Sequence, residues 1–164
     1  MIAGLLRHGP AVPRGAAGMP DDDRPLSPEG RRKTVRAARG LRRLRLGFDL
    51  VLTSPLPRAR ETAEIAARAL GLPAPRECRA LRPDAPVEEL LALLRDARAR
   101  APLLVGHAPA LATLAAALVG ESGDAAFDLG KAGLAVLRLG EAPARGEGSL
   151  RLLLRPSVLR ALGR

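Results

Sequence analysis

The chain has 164 residues, 47% of them hydrophobic, with a formal net charge of +10 and a pI near 11.5. That length suits one domain with a real core and is short for two, and no apolar run reaches the roughly 18 residues of a membrane span. A single cysteine, Cys78, excludes an internal disulfide and, with no charged leader ahead of the first apolar run, fits a soluble protein of the reducing cytoplasm.

The positive charge raises nucleic acid as a partner, since clustered cations release counterions on binding phosphates. Along the sequence, however, arginine is spread through almost every element, only Lys33 and Lys131 are lysines, and neither Trp nor Tyr is present to stack on bases. The excess therefore reads as compositional, and nucleic acid is not expected. The densest run, "RRKTVRAARGLRRLR" at 31–45, keeps apolar positions at helical spacing and reads as one solvated helix face.

In chain order, "IAGLL" at 2–6 predicts a buried strand stopped by the turn-prone "GPAVPRG". Ser27 as N-cap, Pro28 at the first helical position and Glu29 in the first turn predict a helix over 28–45. "FDLVLTS" reads as the second strand and "PLPRARETAEIAARALG" as a helix ended by Gly71. After an extended stretch, "PVEELLALLRDARAR" spaces its leucines as a third helix, with Glu88 and Glu89 in its first turn. "PLLVG" is apolar throughout, as interior parallel strands are, and "APALATLAAALVG" gives a fourth helix before Gly120. "AGLAVLRL" and "SLRLLLRP" suggest an antiparallel hairpin at one sheet edge, followed by a short helix, "PSVLRALG". The alternation specifies one domain over residues 1–164: a three-layer α/β/α sandwich, its central sheet mostly parallel with an antiparallel C-terminal edge hairpin.

In such a sheet the ligand crevice lies beyond the carboxyl ends of the strands. The first strand ends in Arg7 and His8, the second in Thr53 and Ser54 with Arg58 just inside the next helix, and "PLLVG" ends in His107. Both histidines of the chain therefore fall at one rim. Two imidazoles among arginines suit phosphoryl transfer, because guanidinium forks grip phosphate oxygens in pairs and neighbouring cations keep a nucleophilic histidine neutral. That chemistry requires no metal or cofactor.

"LLRHG", "TSPLPRARETA" (Ser-Pro-x-x-Arg-Ala-x-x-Thr) and "LLVGHAP", in that order, resemble the histidine phosphatase superfamily, whose fold is phosphoglycerate mutase-like. "RPLSPEG", "FDLGKAGLAVLRL" and "LLLRPSVLRAL" look like its short phosphohistidine phosphatase branch, called SixA-like, and the likeness spans essentially the whole chain. The resemblance implies that His8 is the transiently phosphorylated nucleophile, that Arg7 and Arg58 hold the phosphoryl oxygens, and that His107 donates to the transferring group. It implies Arg24 as a further anion contact and Gly9 as the point where the backbone passes close to the phosphate. The implied partner is a phosphoprotein carrying phosphohistidine or a small phosphorylated molecule, with no membrane involved.

One departure concerns the acid that protonates an alkoxide leaving group in many members of that superfamily. Glu77, Asp84, Glu88 and Glu89 are the candidates, and none lies in a recognisable motif. Imidazole is the better leaving group, so the weak acid signal favours phosphohistidine over unactivated esters. The alternatives are a small-molecule phosphomonoesterase of the same superfamily and a non-catalytic binding module for nucleic acid or acidic protein. Cys78 is read as structural, because a Cys-x5-Arg loop would need arginine where Asp84 stands. Arg60 is read as a surface residue, and "DDD" at 21–23 as solvated acid.

Overall fold

The computed structural model describes residues 1–120 and 127–164. Strands β1 (Ile2–Arg7), β2 (Leu50–Thr53), β3 (Arg76–Glu77), β4 (Pro102–Gly106), β5 (Leu134–Arg138) and β6 (Ser149–Leu154) form one sheet, ordered β3-β2-β4-β1-β5-β6. The first four run parallel, while β5 pairs antiparallel with both β1 and β6, which places the hairpin at the edge. Helices α1 (Pro28–Arg43), α2 (Pro57–Leu70), α3 (Val87–Asp96), α4 (Ala108–Val119) and α5 (Pro156–Leu162) cover its two faces.

Strand alternation divides the core into two. Leu5, Leu52 and Leu104 point to the side of α3 and α4, where Leu90, Leu94, Leu111 and Leu114 meet them. Leu6, Val51, Leu103 and Val105 point to the other side, against Leu41 of α1, Ala63 and Ala66 of α2 and Leu159 of α5. Strand β4 is buried at every residue, which is why its sequence is apolar without alternation. With two phenylalanines in the whole chain, the core is almost wholly aliphatic, and Phe48 does particular work. Its ring lies over Gly4, where a Cβ would stand 2.5 Å from the ring carbon Cζ.

Local signals set the helix ends. The Ser27 hydroxyl accepts from the Gly30 N–H at 2.9 Å, closing the first turn of α1. Gly71 and Gly120 end α2 and α4 in the left-handed conformation, with φ of 71° and 88°. Most boundaries fall within two residues of the sequence expectation, and two elements differ more. Helix α3 stops at Asp96 rather than continuing to 100, because its apolar stripe ends at Leu94 and Arg98 turns left-handed at φ 47°. Strand β3 was expected only as extended chain; its two residues are both exposed and carry no alternation to read.

Helix α1 packs against α5 through Gly40, where a Cβ would lie 2.0 Å from the Leu159 carbonyl oxygen. Helix propensity alone favours alanine by about 1 kcal/mol, but here the obstacle is backbone, so α5 must shift. Gly40→Ala is therefore expected to destabilise the protein by about 1–3 kcal/mol in urea unfolding. A stabilised variant would show that the α1–α5 contact is looser than described.

Candidate active site

The sheet order brings the site together. Strands β2, β4 and β1 are consecutive in the sheet, so the carboxyl ends of each adjacent pair lie about one strand spacing, ~4.8 Å, apart. The ladder extends one residue beyond each end. The Ser54 N–H donates to the Val105 carbonyl at 3.0 Å, and the His8 N–H to the Gly106 carbonyl at 2.9 Å. His8 and His107 consequently face each other with ring centroids 5.1 Å apart. Both are buried, and they line a pocket of about 400 Å³ together with Arg7, Arg24, Arg58 and Asp21.

Hydrogen bonding decides the form of each ring. His8 Nδ1 lies 2.7 Å from the Gly9 carbonyl, and a carbonyl can only accept, so Nδ1 carries the proton and Nε2 keeps its lone pair. His107 Nε2 lies 3.0 Å from Ser54 Oγ, which also accepts from the Leu56 N–H. The Ser54 hydroxyl is fully buried and has His107 Nε2 as its acceptor, so the His107 proton resides on Nδ1. Burial lowers both histidines from 6.5 to about 3, assisted at His8 by His107, Arg58 and Arg7 and at His107 by Arg58, Arg7 and Arg82. Both rings are neutral at pH 7.

The arginines are held by the protein's own acceptors. Arg7 Nη1 donates to the Leu129 carbonyl at 2.8 Å, and Arg58 Nη1 to the Asp21 carbonyl at 2.7 Å. Arg24 donates through Nη1 to the Val12 carbonyl at 2.7 Å and grips Asp21 Oδ1 through Nε and Nη2, each at 2.9 Å. Arg7 Nε and Arg58 Nε are buried without any partner among the described residues. An unpaired buried N–H costs about 1–3 kcal/mol, a cost the fold carries at both arginines. Helix α4 begins at the same pocket through Ala108 and Pro109, with no side chain capping its first turn, and so points the positive end of its dipole there. Arg14 and Lys131 stand among the lining cations.

The structure thus brings His8, His107, Arg7, Arg58 and Arg24 into one pocket. Gly9 is placed differently. Its N–H donates to Thr62 Oγ1 at 3.0 Å, and a Cβ would lie 2.0 Å from Thr34 Oγ1, so packing against α1 and α2 is what requires glycine there. Glu77, Asp84, Glu88 and Glu89 all lie outside the pocket lining. Glu77 pairs with Arg60, Asp84 with Arg82, and Glu88 with Arg145. The "DDD" stretch is more than solvated acid: Asp21 bridges Arg14, Arg24 and Arg58, and Asp22 pairs with Arg82 at 2.8 Å. Burial alone would raise the Asp21 carboxyl, but Arg24, Arg14 and Arg58 outweigh it and hold the group below its usual range. Sequence reasoning also left Ser54 and Thr62 without roles, although both lie in the quoted Ser-Pro-x-x-Arg-Ala-x-x-Thr frame. Burial raises the Cys78 thiol, which keeps it from being an activated nucleophile.

The family profile of the histidine phosphatase superfamily (branch 1) matches residues 4–82. An uncharacterized protein of Picosynechococcus sp. is 42% identical over 161 residues, covering 94% of this chain and 96% of its own. The structure of the protein histidine phosphatase SixA complexed with tungstate is similar at TM-score 0.84 and 26% identity, covering 97% of this chain and 99% of that one. A protein assigned as phosphohistidine phosphatase SixA from Agrobacterium tumefaciens follows at TM-score 0.79 and 27% identity, covering 94% and 97%. The chain belongs to the histidine phosphatase superfamily, a membership that implies phosphatase activity. Within it, the chain falls in the SixA-like branch.

The two neutral imidazoles have a consequence for stability. An unfolded histidine titrates near 6.5, so between pH 6.5 and about 3 the unfolded chain binds more protons than the folded one, and stability falls as pH falls. Urea unfolding should show this loss between pH 6.5 and 4.5, with a slope of at most about 1.4 kcal/mol per pH unit for each histidine. A His8→Asn/His107→Asn variant should flatten it. Equal slopes in the two proteins would show that the buried rings are not the source.

Proposed function

We propose that the chain is a phosphohistidine phosphatase that passes the phosphoryl group through His8. The observation that carries this reading is the Nδ1–H of His8 committed to the Gly9 carbonyl, which leaves Nε2 as a lone pair in a pocket that Arg7, Arg24 and Arg58 also line. In the first step His8 Nε2 bonds phosphorus as the substrate's N–P bond breaks, and the departing imidazole takes up a proton from solvent. In the second, water bonds phosphorus and the Nε2–P bond breaks, releasing phosphate and a proton. Arg7, Arg58 and Arg24 offset charge on the phosphoryl oxygens, and the His107 Nδ1–H supplies a neutral donor. That a SixA structure was determined with tungstate, an oxyanion, supports an anion site in this fold.

The choice of phosphohistidine over a phosphate ester rests on the pocket's carboxylates. Asp21 is the one that lines it among the described residues, and its arginine partners keep it ionised, so it is a poor acid for an alkoxide. Imidazole leaves with less help. On this reading residues 1–164 act as one domain, in the cytoplasm, on a phosphoprotein such as a phosphorelay domain or on a small phosphoramidate.

Phosphate release from phosphohistidine peptides and from phosphate monoesters, measured side by side, tests the substrate class; faster turnover of the esters would overturn it. His8→Ala should lower kcat by about 10³-fold or more, and Arg58→Ala should lower kcat/KM by about 10²–10³-fold. Rapid quenching should trap a phosphoenzyme that is labile in acid and absent from His8→Ala. An acid-stable adduct would mean a nucleophile other than histidine.

A further inference from the structure

Along the sequence the arginines look dispersed; in space a set of them converges on grooves that share no lining residue with the pocket just described. Helix α1 exposes Arg32, Arg36, Arg39 and Arg43, which recur at i, i+4, i+7 and i+11 and so lie in one row. Arg42 stands beside that row and Arg45 just beyond the helix end. Neighbouring helices add to it: Arg68 of α2 shares one groove with Arg39 and Arg42, Arg160 of α5 shares another with Arg36 and Arg39, and Arg164 closes a third of about 450 Å³. Arg31 and Lys33 have acidic partners in Glu61 and Glu29. Arg32, Arg36, Arg39 and Arg42 have none among the described residues. Like charges at i, i+4 repel, and the fold tolerates that repulsion along a whole helix.

We infer that this face of α1 is a docking surface for the phosphate backbone of a nucleic-acid duplex, held without reading base sequence. The donors are arginines, whose planar forks match phosphate oxygens. They form a line on a rigid helix of 16 residues, about 24 Å long, at intervals of about 5–6 Å, which suits a repeating polyanion. A single strand would need aromatic platforms, and the two phenylalanines, Phe48 and Phe127, are buried. An anionic membrane attracts basic residues as a flat sheet of charge, whereas the donors here form a single line along one helix, which fits a linear polyanion better. In parallel β-α-β units the helix runs back from the site-bearing edge, so the C-terminal half of α1 points to the opposite edge of the sheet. Docking there leaves the His8 pocket open.

Fluorescence anisotropy with a labelled 20-base-pair DNA duplex, titrated across 50–300 mM NaCl, tests the inference. The wild type should bind at 100 mM salt with a log K against log salt slope of about −4 to −6, reflecting about five or six phosphate contacts. Arg36→Glu/Arg39→Glu/Arg42→Glu should lose at least about 30-fold in affinity and make the slope shallower by about 3. Arg79→Glu/Arg138→Glu/Arg151→Glu, at exposed positions outside the three grooves, carries the same charge change and should lose much less. Both variants should keep the wild-type rate of phosphate release and the wild-type thermal midpoint, which separates loss of docking from misfolding. Docking on the duplex can be measured whether or not the phosphatase reading holds. Equal losses in the two variants, no binding at 100 mM salt, or tighter binding to poly-glutamate or to vesicles of anionic phospholipid than to the duplex would overturn the inference.

Discussion

The site depends on keeping imidazoles uncharged while guanidinium groups stay charged in the same small buried space. Burial disfavours charge on any group, but the penalty acts unevenly: a histidine can shed its proton, whereas an arginine cannot at neutral pH. Once the two are packed together, the cations and the loss of water push the imidazoles the same way. His8 and His107 are both lowered to about 3, while Arg7 and Arg58 are lowered from 12.5, chiefly by burial. Few residue choices would do this. Lysine in place of Arg58 would offer a point charge instead of a fork and could itself deprotonate when buried.

Holding such a cluster requires anchors from elements distant in sequence. Each arginine donates to a main-chain carbonyl: Arg7 to Leu129, Arg24 to Val12, Arg58 to Asp21. A carbonyl oxygen stabilises a guanidinium without cancelling its charge, so the pocket keeps its positive potential. The backbone after β1 is fixed through Thr62, whose hydroxyl accepts from Gly9 and donates to the Arg58 carbonyl at 2.7 Å. One side chain thereby ties the loop carrying His8 to the helix carrying Arg58. Helix α1 closes on the same loop, with the Thr34 hydroxyl against Gly9. Packing and site geometry are here the same set of contacts.

What could be read in the sequence follows from the range of each interaction. Caps, terminal glycines and apolar runs act within a few residues, so Ser27, Gly71, Gly120 and "PLLVG" announced their elements. The parallel sheet then placed Arg7, His8, Ser54 and His107 at one rim, because that inference needs strand order and not side-chain detail. The rest depends on long-range folding of irregular chain. Asp21 reaches Arg58 across 37 residues through a loop containing a short 3-10 turn at Asp21–Asp23, and no periodicity reports such a contact. The closeness of Thr34 to Gly9 is equally hidden, since a glycine demanded by a neighbouring side chain and one demanded by a phosphate look alike in sequence. The arginines of α1, α2 and α5 could be counted in the sequence, yet their convergence required the helices to be packed.

Asp21 shows how a carboxylate can belong to a pocket built for anions. It gathers Arg14, Arg24 and Arg58, and three cations around one carboxylate leave a net positive charge that a second anion can still satisfy. Its grip is uneven: Arg24 holds it through two bonds of 2.9 Å, whereas Arg58 Nη2 reaches it at 3.4 Å. For the proposed reaction that inequality matters. A phosphoryl dianion brings more charge than a carboxylate, so Arg58 gains more by turning its long contact toward phosphate than it loses at Asp21, while Arg24 gains less by letting go. The same dianion would give the Nδ1–H of His107 a charged acceptor, a stronger partner than a neutral one. Substrate charge would thus complete an arrangement that the pocket holds partly through its own aspartate.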